Sequence, residues 1–196
     1  MRSILTLDLH FFVFELECAE DWIFLLLQNK RRRTRMGFTK KAYSVAAVAN
    51  CMLTYGQGRN LELTNLKLQK LAYLAQGLWL AEHDGSPLFK ERIEAWPYGP
   101  LIPDLYGALR MYGREEVTMP IACTDEIPAD SDAANHIREV MDAFAHKSAS
   151  TLIKISHMAG SPWAQVWRSG SGIYRTISLD SMTLYFKKKL QSTGAS

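Results

Sequence analysis

The segment Thr64-Asn-Leu-Lys-Leu-Gln-Lys-Leu-Ala-Tyr-Leu-Ala-Gln-Gly-Leu-Trp-Leu-Ala-Glu-His83 decides the fold of this chain. Thr64 can cap a helix because its hydroxyl accepts a hydrogen bond from a free amide of the first turn, and Gly85 lies just beyond the last apolar residues. The pattern therefore predicts one helix from Asn65 to His83. At about 100° per residue its apolar side chains cover nearly every side, so the helix must be buried nearly all round.

A narrow polar line interrupts this apolar surface, and all of its side chains are uncharged at neutral pH. Two interpretations fit it: the side chains hydrogen-bond the backbone of loops packed over the helix, or they form a contact line for a ligand or partner. We favour the first, because buried polar side chains are usually satisfied within the protein. The line consists of Asn65, Gln69, Gln76 and His83.

The segment that follows this helix alternates in character between Phe89 and Trp96, which predicts a short strand with a charged, exposed face. Three prolines come next, and each fixes a backbone φ angle and removes an amide donor. We therefore expect no regular ladder here, and we expect Trp96 and Tyr98 to sit on a stiff loop. The prolines are Pro97, Pro100 and Pro103.

Five sequence pieces, in this order, carry a family resemblance. They are Leu66-Lys-Leu-Gln-Lys-Leu-Ala-Tyr-Leu-Ala-Gln-Gly77, Glu94-Ala-Trp-Pro-Tyr-Gly-Pro100, Pro103-Asp-Leu-Tyr106, Ser156-His-Met-Ala-Gly-Ser-Pro-Trp163, and Ile177-Ser178 with Tyr185-Phe186. From about Lys40 to Leu190 the chain resembles the Panacea domain, a family of SocA-like antitoxins often found in prophages. Pro97 stands where many members carry a basic residue, so no contact of that side chain is carried over.

The resemblance implies a non-enzymatic antitoxin that binds and neutralises a protein toxin encoded beside it. It leaves open a Clp-type protease as a second partner, because one relative delivers its toxin to such a protease. The predicted elements themselves form a compact, mainly α (α+β) domain around the central Thr64–His83 helix, with a small antiparallel β element. The motif residues to which we assign structural roles are Gln69, Gln76, Gly99, Pro100, His157, Ser161, Pro162 and Trp163.

Length and composition limit the other possibilities. At 196 residues, 47% of them apolar, the chain can bury the core of one domain. A net charge of +3 is too slight to indicate nucleic acid as a partner. The cysteines Cys18, Cys51 and Cys123 are odd in number and form no Cys-x-x-Cys pair, which suits reduced thiols in the cytoplasm. We expect no metal and no cofactor.

Residues 1–35 differ from the rest of the chain. Their apolar runs are interrupted by acidic residues, and the basic cluster Lys30–Arg35 follows those runs instead of preceding them. This is neither a signal peptide nor a membrane span, so we expect no membrane partner. We divide the chain into an extension at 1–35 that is not native or is disordered, a Panacea-like domain at 36–190, and a flexible tail at 191–196.

The remaining elements follow from caps and periodicity. We expect a first helix capped by Thr39 and ended by Gly56, with Ala42, Val45, Ala46, Ala49, Met52 and Leu53 on one face. The segment from Arg114 to Asp130 reads as a loop with an extended piece near Val117. The other predicted elements are helices at Pro103–Tyr112, Asp132–His146, from Ser148 or Ser150 onward, after the Ser161-Pro162 cap and at Leu179–Leu190, and a strand at Tyr174–Ser178 that pairs with the Arg92 segment.

No constellation nominates a catalytic residue. Cys51 lies within an apolar helix and reads as a buried, inert thiol, and His157 reads as an imidazole that supports the loop before Trp163. Two alternatives to the antitoxin remain: a small cytoplasmic hydrolase that uses a Cys/His site, and a DNA-binding prophage regulator.

Aromatic and charged residues around the proline-rich loop are the candidate partner-binding residues, because stiffly held aromatics can anchor a partner at a small entropic cost. The alternative, that Trp96 and Tyr98 fill the core beneath the loop, is equally open. The candidates are Arg92, Glu94, Trp96, Tyr98 and Tyr106.

The sequence pattern predicts that residues 1–35 are dispensable and that Met36 is the functional start. Deleting them should leave the melting temperature nearly unchanged, because the predicted helices and caps all follow Met36. Thermal unfolding followed by circular dichroism measures this. A fall of tens of degrees, on the scale of several kcal/mol, would show that the extension belongs to the core.

Overall fold

The computed structural model describes residues 42–192. Within this range the protein has seven α-helices and one two-stranded antiparallel sheet, which confirms the predicted mainly α (α+β) fold. The elements are α1 (Val45–Gln57), α2 (Asn65–Glu82), β1 (Glu94–Trp96), β2 (Gly99–Leu101), α3 (Pro103–Leu109), α4 (Asp132–Phe144), α5 (Ala149–Ser156), α6 (Pro162–Trp167) and α7 (Leu179–Ser192).

Helix α2 lies at the centre of the core, as its all-round apolar surface predicts. The Thr64 hydroxyl accepts a hydrogen bond from the Lys67 amide at 3.3 Å, and the helix ends with His83 as its C-cap. Leu68, Leu74 and Leu80 are almost completely buried although they point to three different sides of the helix. Helices α1, α3, α4, α5 and α7 and strand β2 all pack against it. A helix covered on every side must therefore hydrogen-bond its own polar side chains internally.

Helices α2 and α7 pack closely against each other at a glycine. A Cβ atom on Gly77 would lie 2.2 Å from the Phe186 ring, and that ring also meets Tyr73 edge-on with centroids 5.8 Å apart. Phe186 is almost completely buried. Because no side chain other than hydrogen fits between the two helices here, Gly77 sets their separation.

The predicted start and end of the first helix are wrong. Thr39 lies outside the described residues, and α1 is capped by Ser44, whose hydroxyl accepts from the Ala47 amide. Asp125 holds this cap from a distant loop, since its carboxylate accepts from the Ser44 amide at 2.7 Å and from the Ser44 hydroxyl at 2.6 Å. That tertiary contact begins the helix at Val45, so Ala42 precedes it. Its other end also differs, because Gly56 lies inside α1 and Gly58 is the C-cap.

The expectation that prolines exclude a regular ladder is also wrong. Strands β1 and β2 form a hairpin with Pro97 and Tyr98 in its turn, and Pro100 lies within β2 opposite Ala95. The missing amide of Pro100 costs no ladder bond, because its polar groups face away from β1 and its carbonyl accepts from Lys70 Nζ at 2.8 Å. The hairpin is three residues long on each side, so the predicted strand from residue 89 onward shortens to Glu94–Trp96.

The predicted pairing of residues 174–178 with the Arg92 segment takes place at Ile93–Ala95. Ala95 donates its amide to the Arg175 carbonyl at 2.9 Å and accepts from the Tyr174 amide at 2.8 Å. The Ile177 amide donates to the Ile93 carbonyl at 2.8 Å, and a single antiparallel bridge joins residues 94 and 176. Strand β1 therefore has backbone partners on both of its edges.

The other predicted elements are present with small changes at their ends. Helix α3 continues as a 3-10 turn to Tyr112, and α4 ends two residues earlier than predicted, at Phe144. Helix α5 uses Ser148 as its cap, and α6 begins after Ser161. The extended piece near Val117 bonds the Leu63 carbonyl at 2.9 Å, and α7 runs two residues beyond Leu190. The predictions for residues 1–35, Met36, the Lys30–Arg35 cluster and residues 193–196 lie outside the described range.

None of the helices within residues 42–192 is long and apolar enough to cross a membrane.

Substituting alanine for glycine should change the free energy of unfolding in opposite directions at two helical positions. Gly77→Ala should lower the free energy of unfolding by about 1–3 kcal/mol, because the added methyl group overlaps Phe186. Gly107→Ala in α3 should raise it by about 0.5–1 kcal/mol, because its Cβ would meet open space and alanine favours the helix. Urea unfolding measures both changes. Equal effects of the two substitutions would contradict the packing of α2 against α7.

Candidate partner-binding site

The Glu94 carboxylate fixes the orientation of the Trp96 ring. It accepts the Trp96 indole N–H at 3.0 Å and the Arg92 Nε–H at 2.7 Å. Glu94 is buried, contrary to the prediction that this face of the strand is exposed, because both of these donors lie over its carboxylate. Three of the five candidate residues thus form one hydrogen-bonded unit at the base of the hairpin.

Three aromatic side chains come together around Trp96 and form what we call the aromatic cluster: Trp96, Tyr106 and Tyr174. The Trp96 ring centroid lies 5.7 Å from that of Tyr106, at a tilt of 45°, and 4.8 Å from that of Tyr174, edge-on. Trp96 is half-buried, whereas 40% of Tyr106 and 56% of Tyr174 are exposed. The fifth candidate, Tyr98, lies at the hairpin turn with 73% of its surface exposed, so it does not fill the core.

Sequence reasoning missed the part that Tyr174 plays in this cluster. The residue was predicted only as the start of a strand, and nothing in its neighbours indicates an approach to Trp96. Its backbone has φ of +62°, a left-handed conformation that costs a bulky residue roughly 1–3 kcal/mol. The hydrogen bond from its amide to Ala95 holds this conformation in place. The position of the Tyr174 ring follows only from the packing of residues 168–177 against the hairpin.

A polar group of three side chains, Lys70, Ser156 and His157, lies beneath the hairpin, and we call it the polar floor. A Cβ atom on Gly99 would lie 2.8 Å from Ser156 Oγ and 3.0 Å from both His157 Nε2 and Lys70 Nζ. The backbone of Gly99 also has φ of +99°, which glycine adopts without strain. Gly99 is therefore required both by its conformation and by the close approach of the polar floor.

The Ser156–Trp163 motif supports the hairpin from below. Trp163 donates its indole N–H to the Trp96 carbonyl at 2.9 Å, and its ring stacks on His157 with centroids 3.6 Å apart. Ser161 caps α6 and also donates its hydroxyl to the Ser156 carbonyl at 3.0 Å. The family motif is thus a set of contacts that fixes the backbone of Trp96.

Two glutamines of α2 hold the chain on either side of the hairpin. Gln76 accepts from the amides of Leu88 and Phe89 at 2.8 and 3.2 Å and donates to the Phe89 carbonyl at 2.9 Å. Gln69 accepts from the Ile102 amide at 2.8 Å and donates to the carbonyl of the same residue at 3.5 Å. These bonds agree with a structural role for the polar line of α2.

Lys70 lies beneath the candidate site, and sequence reasoning did not identify it. It is almost completely buried, and burial lowers the pKa of its amine to about 7. The pKa of His157 is also lowered, first by burial and then by the positive charge of Lys70. The buried Nε2 of His157 has no hydrogen-bond partner among residues 42–192. A lysine within an apolar helix gives no sequence signal of this kind, because most lysines in helices reach solvent.

The cysteines and histidines of the hydrolase alternative are not brought together. Cys51 and Cys123 both line a cleft of about 800 Å³ between α1, α4 and residues 121–129, and no histidine lines it. Burial raises the pKa of the Cys51 thiol, which makes it a weaker nucleophile. His157 stacks on Trp163, and His136 bonds the Ala75 carbonyl at 2.9 Å. Among the described residues neither cysteine hydrogen-bonds a histidine.

Comparison with known proteins places this domain in a class. Residues 68–164 match the family described as antitoxin SocA-like, Panacea domain. The chain is also similar to antitoxin SocA of Caulobacter vibrioides (strain NA1000 / CB15N), with 32% identity over 126 residues. That alignment covers 60% of this chain and 66% of the relative, slightly less than two thirds of its length. No solved structure matches the chain.

Residues 68–164, about half of the chain, are therefore a SocA-like Panacea domain, as the motifs predicted. The matched region contains the hairpin, the polar floor and the Trp163 motif. Tyr174 and helix α7 lie beyond it.

The buried amine of Lys70 should make the free energy of unfolding depend on pH. Because the pKa of Lys70 falls from 10.5 to about 7 on folding, the unfolded chain binds one more proton between these values. The free energy of unfolding should therefore rise with pH from about 7 to 9.5, with a slope approaching about 1.4 kcal/mol per pH unit. Lys70→Met should remove this rise, whereas the exposed-lysine variant Lys154→Met should keep it. Urea unfolding across this range measures both slopes, and an unchanged slope in Lys70→Met would contradict the burial of the amine.

Proposed function

We propose that this protein is an antitoxin that binds and neutralises a protein toxin encoded beside it. The SocA-like Panacea domain at residues 68–164 and the similarity to antitoxin SocA support an antitoxin role. The observation that carries the proposal is an exposed aromatic surface held on a supported hairpin. Aromatic side chains that are partly exposed and firmly positioned are typical of the residues that dominate binding energy at protein interfaces.

The hairpin is organised for binding before any partner arrives. The Trp96 ring is oriented by its hydrogen bond to Glu94, and its backbone carbonyl accepts from Trp163. The next strand is held by the bond from Lys70 to the Pro100 carbonyl. A partner that packs on Trp96 therefore has little side-chain or loop entropy to remove, which strengthens binding without adding contact area.

The candidate residues have different roles in this proposal. Trp96 and Tyr106 supply apolar area at the centre, and Tyr98 extends it along the hairpin turn. Arg92 lies at the edge with its side chain largely exposed, where a polar rim surrounds an apolar centre. Glu94 is a positioning residue, because its carboxylate is already engaged by Arg92 and Trp96.

Neutralisation in this proposal is stable binding, without chemistry of the protein's own, and it takes place in the cytoplasm. The separation of the thiols from the histidines supports binding over turnover. Nothing in the arrangement of the described residues favours the hydrolase or the DNA-binding regulator.

Delivery of the bound toxin to a Clp-type protease is a second step that we propose from the family resemblance. A degradation assay with purified protease, ATP and the toxin tests it. The toxin should disappear faster when this protein is present, and an unchanged rate would show that binding alone neutralises it.

The main proposal is tested with the product of the gene that adjoins this one. Trp96→Ala should raise the dissociation constant of the complex by more than about tenfold, because central aromatic anchors contribute most of the binding energy. Cells that express the toxin should then lose protection. Calorimetry with purified proteins and growth of the co-expressing cells measure the two effects.

Control variants separate binding from folding and from catalysis. Leu184→Ala removes an exposed apolar side chain outside the aromatic cluster and should leave both affinity and protection unchanged. Cys51→Ala and Cys123→Ala should also protect. Protection lost through Cys51→Ala, in a protein that remains folded and still binds its toxin, would indicate catalysis and overturn the binding account.

A further inference from the structure

Tyr174 is exposed in spite of an unfavourable backbone conformation. Its φ of +62° disfavours a bulky side chain, and with 56% of its surface exposed the residue gains little from burial. Its ring meets Trp96 edge-on, at a centroid distance of 4.8 Å. The fold therefore maintains a costly conformation that places a third ring beside Trp96, at the surface and outside the region matched by the family.

Three charged groups beside this cluster, Arg92, Glu94 and Asp104, interact with one another, and their charges do not cancel. Arg92 carries one positive charge, and Glu94 and Asp104 each carry one negative charge, which leaves a formal charge of −1. Glu94 first, and Asp104 more weakly, raise the pKa of Arg92, so both carboxylates lie close to it. Glu94 is buried and engaged, whereas Asp104 is exposed in the first turn of α3. Asp104 is therefore an exposed negative charge two residues before Tyr106, and it acts on Arg92.

The faces of the three rings are not occupied by cations of the described part of the chain. Within residues 42–192 the cations that lie over aromatic rings are Arg59 over Tyr55 and Lys189 over Tyr185. Aromatic faces attract cations through the negative potential of the ring, and tryptophan does so most strongly. Aromatic faces together with an excess of negative charge fit a positively charged group.

We propose that the aromatic cluster, together with the exposed Asp104, binds an arginine or lysine side chain of the toxin. The identity of the partner rests on the function proposed above, whereas the chemistry of the contact rests on the rings and charges alone. In this arrangement the cation of the toxin lies against Trp96 and Tyr174, and Asp104 supplies an exposed carboxylate.

Short peptides test this chemistry without the toxin. The full-length protein is titrated with acetyl-Gly-Ser-X-Ser-Gly-amide, in which X is arginine, its neutral isostere citrulline, or glutamate. The indole N–H signal of Trp96, assigned with Trp96→Phe, reports binding in NMR spectra. The arginine peptide should bind about two- to fivefold more tightly than the citrulline peptide, and the glutamate peptide should bind most weakly. Equal binding of arginine and citrulline, or tighter binding of glutamate, would overturn the proposal.

Two glycine substitutions separate the ring of Tyr174 from its backbone. Tyr174→Gly removes the ring and relieves the left-handed strain, so the protein should be at least as stable as before and should lose the preference for arginine. Ser169→Gly relieves the same kind of strain at φ of +58° without removing a ring, and it should keep the preference. Intact arginine binding in Tyr174→Gly would show that the ring has only a structural role.

Two further variants test whether Asp104 supplies the attracting charge and whether the basic cluster of the chain itself occupies the site. Asp104→Asn should reduce the preference for arginine over citrulline, and added salt should do the same, because both weaken the electrostatic attraction. Deleting residues 1–35 should leave arginine binding unchanged. If arginine binds only after this deletion, the basic cluster Lys30–Arg35 of the chain itself occupies the site and the toxin does not.

The outcomes distinguish this proposal from the proposed function. If Trp96→Ala abolishes protection but the peptides show no preference for arginine, the antitoxin proposal stands and the cation contact is wrong. If arginine is preferred but Trp96→Ala still protects, the cluster binds cations and the toxin contacts another surface.

Discussion

The hydrogen bonds from buried polar side chains of α2 to the backbone of residues 88–102 are the constraint on which the rest of this structure depends. A helix covered on all sides cannot expose an amide or an amine to water, and an unpaired buried polar group costs roughly 1–3 kcal/mol. Gln76, Lys70 and Gln69 meet this requirement by bonding three successive parts of one chain segment. The central helix therefore determines where the hairpin lies.

This arrangement joins stability to the candidate function. The same hairpin backbone that hydrogen-bonds α2 carries Trp96 and Tyr98 on its outer side, so the candidate binding surface is supported by the central buried helix of residues 42–192. This support consists of hydrogen bonds. They hold the hairpin in one position, because each donor must lie at a defined distance and angle from its acceptor. The close approach of Gly99 to the polar floor has the same consequence, since a larger residue would displace the hairpin from Lys70 and His157.

The surface itself combines features that a partner can distinguish. Its rings offer apolar area and negatively polarised faces, and the formal charges of Arg92, Glu94 and Asp104 sum to −1. The region matched by the family ends at residue 164, so Trp96 and Tyr106 lie within it and Tyr174 lies beyond it.

The sequence by itself determined the elements whose signals are local. The cap at Thr64, the all-round apolar pattern of α2, the Ser161-Pro162 helix start and the family motifs each depend on neighbouring residues, and each was predicted correctly. The tertiary structure decided the rest, because those features depend on contacts between distant residues. The bonds from Asp125 to Ser44 begin α1 at Val45, and the hairpin register turns the polar groups of Pro100 away from β1, where Lys70 bonds its carbonyl. The packing of the 168–177 segment brings Tyr174 to Trp96, and no local pattern encodes that distance.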